Sequence, residues 1–467
     1  MEERVAREAL FGSLPVLSGE RLYGFADALL LLSGYCIATW SYTQGAYLAT
    51  LVGFRQLLVS AFFGAVFLLC LYQLPVILSV RYGIDIWVWL RAVFGGRGVM
   101  VMTAVIILIN YPWYAVCADL FASSMVRLAG LMGWELTGAA HPLLGLACVL
   151  LGTLLALRGP RAMGLVNRVL VPLLLMVGVL VVIVGFRAVP PSVIWNYRPS
   201  GSNGFSYLIS VEANFAFVIT LVGGMAGVPR LVRSERAGLW AGILGQGLAG
   251  SFFVVIGAVM AIATGYVTGQ MVEDPALMLA TLAAPPMALC SLLLVAFANM
   301  GTQAVGAYLY GVMLKSAFRT ASYKVILAVL TVYACGLVLW GGVVDYFGSF
   351  LTLSASIYAP LAALLFVDFF LVRRQKLALR SAYGLPGHTA YHYTGGFNWV
   401  GLTCVAAGAA LSLGVYNPVS GVVHCPALFA LTPTGLSFVG TGLLYAFLSH
   451  VPPIRRYLLR DRGEITV

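Results

Sequence analysis

The feature that most constrains this chain is a long apolar run that recurs from one end of the sequence to the other. Each repetition approaches the ~20 residues an α-helix needs to cross the hydrocarbon core of a bilayer. The runs fall at 23–49, 54–80, 98–129, 141–157, 164–186, 205–228, 238–266, 284–312, 325–344, 348–372, 398–416 and 430–450. An all-α integral membrane protein with twelve transmembrane helices is therefore expected. The first run is too long and lies too deep for a signal peptide, and no cleavage site follows it, so the N-terminus is expected to be retained.

Composition agrees: 61% of residues are hydrophobic and 9% charged, with a mean hydropathy of +0.96. A soluble domain carries roughly a quarter charged residues. The net charge of +11 raises the question of an acidic partner, and the placement of the basic residues answers it. Of 27 Lys and Arg, all but Arg55, Arg127, Arg187 and Arg198 fall in segments on one side, assigned as cytoplasmic. The positive-inside rule predicts this asymmetry. It implies a plasma (inner) membrane protein with both termini cytoplasmic, a tail at each end (1–22 and 451–467) and no nucleic-acid binding.

Seven of the eight cysteines, all but Cys425, sit within apolar runs without metal-like spacing, where thiols act as small hydrophobes. The histidines are scattered: His141 and His424 outside, His388 and His392 in an inner loop, His450 at the end of the last span. The sequence offers neither an intramembrane nucleophile–base pair nor a metal cluster, so an enzyme is not expected.

Two runs are interrupted. The first contains "LLSGYCIATWSYTQG", with Ser33 and Gly34 ahead of polar and β-branched residues; the sixth contains "TLVGGMAGVP". Freed backbone carbonyls are tolerated at membrane depth where they line a cavity. Spans one and six lie five apart, as expected if 23–186 (helices 1–5) and 205–372 (helices 6–10) are inverted repeats that each open with a broken helix at a central site. The alternative for either span alone is that glycine allows close helix packing. The segment 398–450 would add two helices.

Several stretches resemble the nucleobase–cation symporter-1 family, the permeases of cytosine, uracil, allantoin, hydantoins and related heterocycles. They are "RYGIDIWVWLRAVFGGRG" after the second span, "CIATW" (36–40), "PWYAVC" in the third span, "GVPRLVRSE" after the sixth, "LSASIYAPLAALLFVDFFLVRR" in the tenth and "YTGGFNW" before the eleventh. They lie in the family's order over nearly the whole chain. The resemblance implies a five-plus-five inverted-repeat (LeuT-like) core with broken helices 1 and 6 and two extra C-terminal helices, matching the reading above.

On the third span Asn110, Trp113 and Cys117 fall at i, i+3 and i+7 and share a face. The resemblance implies that Trp113 stacks on a planar heterocycle, which suits the large, rigid contact an aromatic ring offers. Asn110 would add a donor and an acceptor for the ring edge. Asp119 lies about 240° around the helix from Trp113, so a scaffold partner or the outer surface is expected for it rather than substrate. On the sixth span Thr220 and Gly223 share a face with Leu221 beside them. Family members commonly carry a second aromatic near Leu221; here the sandwich would be one-sided, or completed by Phe217. Gln303 and the unwound backbone near Cys36 are further candidates for substrate contact, with a bond to a neighbouring helix the alternative for Gln303.

The resemblance also implies a sodium site between spans one and eight, with carbonyls near Leu32 and Tyr35 and the positions of Ala298, Gly301 and Thr302. Thr302 keeps a hydroxyl and Gly301 does not, so sodium coupling, proton coupling and no coupling all stay open. Two further acids are of interest: Asp27, expected as a helix N-terminal cap, and Glu212, either a proton-coupling group or a solvated residue of the outer vestibule. Arg230 stands where family members tend to have an acid, with an effect expected on gating or surface charge.

The chain is therefore expected to be a secondary active transporter that imports a small planar nitrogen heterocycle by alternating access, coupled to sodium or protons. It would need no other cofactor and would act as a monomer or weak oligomer. An amino-acid or amine transporter of the same fold and a non-transporting nutrient sensor are the alternatives.

Overall fold

The computed structural model describes residues 14–459 apart from 38–39, 225–226, 273, 386 and 388–389. Arg4, Arg7, His388, Arg460 and Arg462 lie outside the described residues, as do much of the N-terminal tail and the end of the C-terminal one.

The first span is two helices, Phe25–Cys36 and Trp40–Leu51. The next nine are Phe54–Tyr82, Gly96–Leu131, Ala140–Leu157, Pro160–Ala188, Gly204–Val222, Glu235–Thr268, Pro285–Ala317, Tyr323–Trp340 and Gly348–Val372. Among the described residues these nine are long and apolar enough to cross a membrane on their own. Trp399–Val415 forms a shorter eleventh span, and Pro433–His450 a twelfth that turns by 100° into Pro452–Leu458. Span boundaries shift from expectation where capping residues act. The ninth helix starts after Ser322, whose side chain accepts from Val325 N, and stops at Gly341 with φ 75° rather than continuing to 344.

The outer surface of the bundle is apolar. Leu143, Val332 and Phe447 are 63, 73 and 69% exposed, as befits helices whose solvent is lipid. Close approach inside relies on glycine. A Cβ on Gly45 of the first span would lie 1.8 Å from the Val254 carbonyl oxygen of the seventh, and one on Gly257 would lie 2.2 Å from that of Tyr42. Small residues let two backbones touch in this way.

The two halves share a device. The second span carries a π-helical segment at Ser60–Gly64, and the seventh, its counterpart in the other repeat, carries one at Ile243–Ala249. Such bulges free a carbonyl from the helical ladder. Here Ser251 Oγ donates to the Ala61 carbonyl at 2.7 Å, so the two spans join where their ladders loosen. Each also packs on the broken helix of the other repeat.

The connection after the tenth span clamps the helix Ile86–Phe94. Buried Arg373 pairs with Asp368 (Nε to Oδ2, 2.9 Å) and donates from Nη2 to the Ala92 carbonyl at 3.0 Å. Tyr393 Oη reaches the same carbonyl at 2.7 Å, and Asn398 Nδ2 donates to the Val93 carbonyl at 2.7 Å. The motifs "FVDFFLVRR" and "YTGGFNW" are thus parts of one buried network.

Candidate functional site

Three backbone irregularities converge at the centre. In the first span the helix ends at Cys36, and its carbonyl accepts from Trp40 Nε1 at 3.3 Å and Ser41 Oγ at 2.5 Å. A carbonyl released by a helix end at membrane depth must find such partners. In the sixth span the α-helix stops at Ile219 and tightens into a 3₁₀ turn over Thr220–Gly224. Thr220 Oγ1 donates to the Phe217 carbonyl at 2.7 Å, and Tyr72 Oη of the second span to the Val218 carbonyl at 2.7 Å.

In the third span Pro112 has no N–H, so the Leu108 carbonyl four residues earlier loses its helical partner. Tyr333 Oη of the ninth span replaces it at 2.9 Å, and Ser354 Oγ of the tenth donates to the neighbouring Ile109 carbonyl at 3.1 Å. The span stays continuous, and the proline ties it to two neighbours just before Trp113.

Trp113 is enclosed by aromatic rings. Trp40 and Phe350 each meet it nearly perpendicularly, with centroids 4.9 Å away, and Phe217 does so at 6.1 Å. Beside them lies a cavity of about 10 Å³, bordered also by Tyr35, Asn110, Thr220 and Leu221. That is room for about one water, so a planar ring enters only if side chains that border it, Trp40 and Phe217 among them, move.

Of the substrate candidates, Asn110, Trp113, Thr220 and Leu221 border this cavity. Gly223 lies in the 3₁₀ turn next to them. Cys36 is fully buried at the break, and its carbonyl already accepts two side-chain bonds. Cys117 is fully buried and does not border the cavity. Gln303 points to the fourth span: a Cβ on Gly152 would meet its Cγ at 2.5 Å. One residue along a helix is a 100° rotation, which carries Gln303 away from the face of Thr302.

At the expected cation position, Thr302 Oγ1 lies 3.4 Å from the Gly34 carbonyl, linking spans one and eight directly. Leu32, Tyr35 and Ala298 are buried, and Gly301 faces Leu170 of the fifth span.

The acids have scaffold partners. Asp119 lies 3.8 Å from the partly exposed His141, a scaffold partner rather than a group of the cavity. Asp27 occupies the third position of its helix rather than the cap; it accepts from Gly24 N–H and pairs with Arg168. Glu212 is 3% exposed. It accepts from Thr434 N–H at 3.0 Å and Thr434 Oγ1 at 2.6 Å, at the start of the twelfth span. Helix N-termini favour such an anion, so it is anchored rather than freely solvated. Arg230 is 1% exposed, donates to Tyr308 Oη at 2.9 Å and feels Asp85. It therefore contributes nothing to surface charge, which corrects that part of the expectation.

Trp40 and Phe350 were not singled out by the sequence. "CIATW" ends on Trp40 but points to the break rather than to its ring, and a phenylalanine in an apolar span carries no signal of its own.

Broken spans one and six around a buried aromatic centre define a multi-pass membrane transporter rather than an enzyme. Residues 15–433 match the profile of the permease for cytosine/purines, uracil, thiamine, allantoin, and the chain belongs to that family. A stretch of 107 residues is 38% identical to the hydantoin permease of Microbacterium maritypicum, covering 23% of this chain and 18% of that relative. The fold is similar to that of Mhp1, a nucleobase-cation-symport-1 family transporter, in a closed conformation with bromovinylhydantoin bound. That match has a TM-score of 0.77 and 23% identity over 97% of both chains. The inward-facing conformation of Mhp1 matches at 0.76 with 21% identity, over 97% of both chains. MhsT in complex with L-phenylalanine matches at 0.59 with 11% identity, over 90% of this chain and 98% of that one.

Proposed function

We propose that this permease is a secondary active transporter of the plasma membrane that imports a small planar nitrogen heterocycle by alternating access. Trp113 stacks on the ring, and Asn110 and Thr220 face its edge. The aromatic enclosure of Trp113 beside the breaks in spans one and six is the observation that carries this reading. The site is neutral, which suits an uncharged flat ring better than an amino acid with its two charges.

Sodium is a hard cation and takes oxygen ligands. Carbonyls of Leu32, Tyr35 and Ala298 and the Thr302 hydroxyl would supply them, and bound sodium would add a positive charge tying span one to span eight. The set fits in kind but lacks the hydroxyl that Gly301 does not carry. The protein folds with both termini cytoplasmic and acts as a monomer or weak oligomer.

Uptake into proteoliposomes of labelled nucleobases, hydantoins, allantoin and vitamin-like rings, with and without sodium and pH gradients, tests the proposal. Accumulation of one class is expected; if none of the panel binds or enters, the reading is wrong.

A further inference from the structure

The side chains around the cavity differ in how far their hydrogen-bonding capacity is already used. Trp40 Nε1 is committed to the Cys36 carbonyl and Thr220 Oγ1–H to the Phe217 carbonyl. Asn110 is 2% exposed, and its Nδ2 donates to Tyr310 Oη of the eighth span. Its Oδ1 is buried, and no hydrogen-bond partner reaches it. A buried acceptor left unmade carries a desolvation penalty, so its persistence beside a cavity calls for a ligand that satisfies it.

Tyr310 does not hold the amide alone. Its hydroxyl shares a hydrogen bond with Tyr358 Oη of the tenth span at 3.1 Å. Its ring is wedged against Tyr111 and Tyr114, at 5.6 and 5.4 Å. Tyr114 in turn needs Gly306, where a Cβ would lie 1.6 Å from its ring. Spans three, eight and ten therefore hold the Asn110 amide with Nδ2 on the Tyr310 hydroxyl and leave Oδ1, on a residue that borders the cavity, without a protein partner.

We propose that Tyr310, backed by Tyr358, is a positioning residue that presents Asn110 Oδ1 as an acceptor, so that the site selects rings carrying an N–H at the edge beside it. Cyclic amides, imides and ureides meet this requirement. Rings of the same shape with that nitrogen methylated, or with only acceptor nitrogens there, do not. The inference rests on the heterocycle reading above and adds the rule by which one heterocycle is preferred to another.

The test uses the purified full-length protein in lipid nanodiscs and measures binding of hydantoin, uracil and their singly and doubly N-methylated forms by tryptophan fluorescence. In the wild type, methylation at one particular ring nitrogen is expected to weaken binding by roughly 10-fold or more, the scale of one unmade hydrogen bond to a buried group. Tyr310→Phe is expected to shrink that ratio toward 1 while the preferred ring still binds, and Tyr358→Phe to do so in part. A purely structural role for Tyr310 would weaken all rings equally and leave the ratio unchanged.

Equal binding of N–H and N-methyl forms by the wild type overturns the inference and leaves the heterocycle reading standing. Failure of every ring to bind the wild type overturns the heterocycle reading and the inference with it. The wild-type ratio needs no mutant, so a variant that fails to fold does not remove the test.

Discussion

Trp40 and Trp113 meet at 82° with ring centroids 4.9 Å apart, across the break in the first span. The ring that meets the third-span tryptophan edge-on is thus supplied from just after the helix interruption, at a distance where aromatic pairs are worth roughly 0.5–1.5 kcal/mol beyond area burial. Trp113→Ala is expected to abolish uptake of the preferred ring. Trp40→Leu should raise KM by about 3- to 10-fold with a smaller change in kcat. Trp40→Phe, which keeps a ring but loses the bond to the Cys36 carbonyl, should fall between Trp40→Leu and the wild type. Initial-rate uptake in proteoliposomes separates the three, and wild-type kinetics in Trp113→Ala would end the stacking assignment.

In the proposed sodium site, Gly301 is the position at which a hydroxyl would complete the oxygen set around Thr302. A Cβ there would approach only Leu170 Cδ2, at 3.2 Å, the free end of a flexible side chain. Gly301→Ser is therefore expected to fold and to lower the sodium concentration needed for half-maximal uptake several-fold. Thr302→Ala should remove whatever sodium dependence the wild type has. Uptake that ignores exchange of sodium for choline in all three proteins would exclude a sodium role for this position.

The fold was legible because lipid imposes a simple pattern: apolar runs of spanning length, basic residues on one side, and interruptions five spans apart. Helical period puts Asn110, Trp113 and Cys117 on one face; Asn110 and Trp113 border the cavity and Cys117 does not, while Asp119 turns to His141. Other features depend on geometry that period does not encode. Gln303 adjoins Thr302 in sequence, yet one step of rotation points it at Gly152. The Cys36 carbonyl, a candidate for substrate contact by sequence, already accepts from Trp40 and Ser41. The burial of Arg230 came from tertiary packing of the inner end on Tyr308, which a charged residue beyond an apolar run does not announce.

The clamp on the helix Ile86–Phe94 makes a separate prediction. The Arg373 and Asp368 side chains are 1 and 0% exposed, and Tyr445 Oη donates a further bond to the carboxylate at 2.9 Å. Removing one partner of such a pair strands a buried charge and costs about 3–5 kcal/mol, whereas replacing both by apolar residues of similar size is often close to neutral. Arg373→Ala should lower the thermal unfolding midpoint in detergent by several degrees, about as much as any single substitution at this face. The double variant Arg373→Met/Asp368→Leu should recover much of the loss. If the double variant is as unstable as the sum of the two single ones, the pair is not coupled as described.

Asp85 gives the pH dependence its sign. It caps the helix Ile86–Phe94 by accepting from Trp87 N–H at 3.1 Å, is 2% exposed, and is pushed by burial up to about 6, with the nearby Arg230 opposing the shift. Tyr308 and Tyr383 are the other titratable groups that sense it. An unfolded chain releases this proton near 3.9, so between those values the folded protein holds more protons than the unfolded one. Stability then falls as pH rises from about 4 through about 6, by an amount of the order of 3 kcal/mol at most, and stays lower above it. The unfolding midpoint is expected to be higher at pH 5 than at pH 7.5. Asp85→Asn, which can still cap the helix but carries no charge, should flatten that difference and stabilise the protein at pH 7.5. An unaltered pH profile in Asp85→Asn would show that the titrating group lies elsewhere.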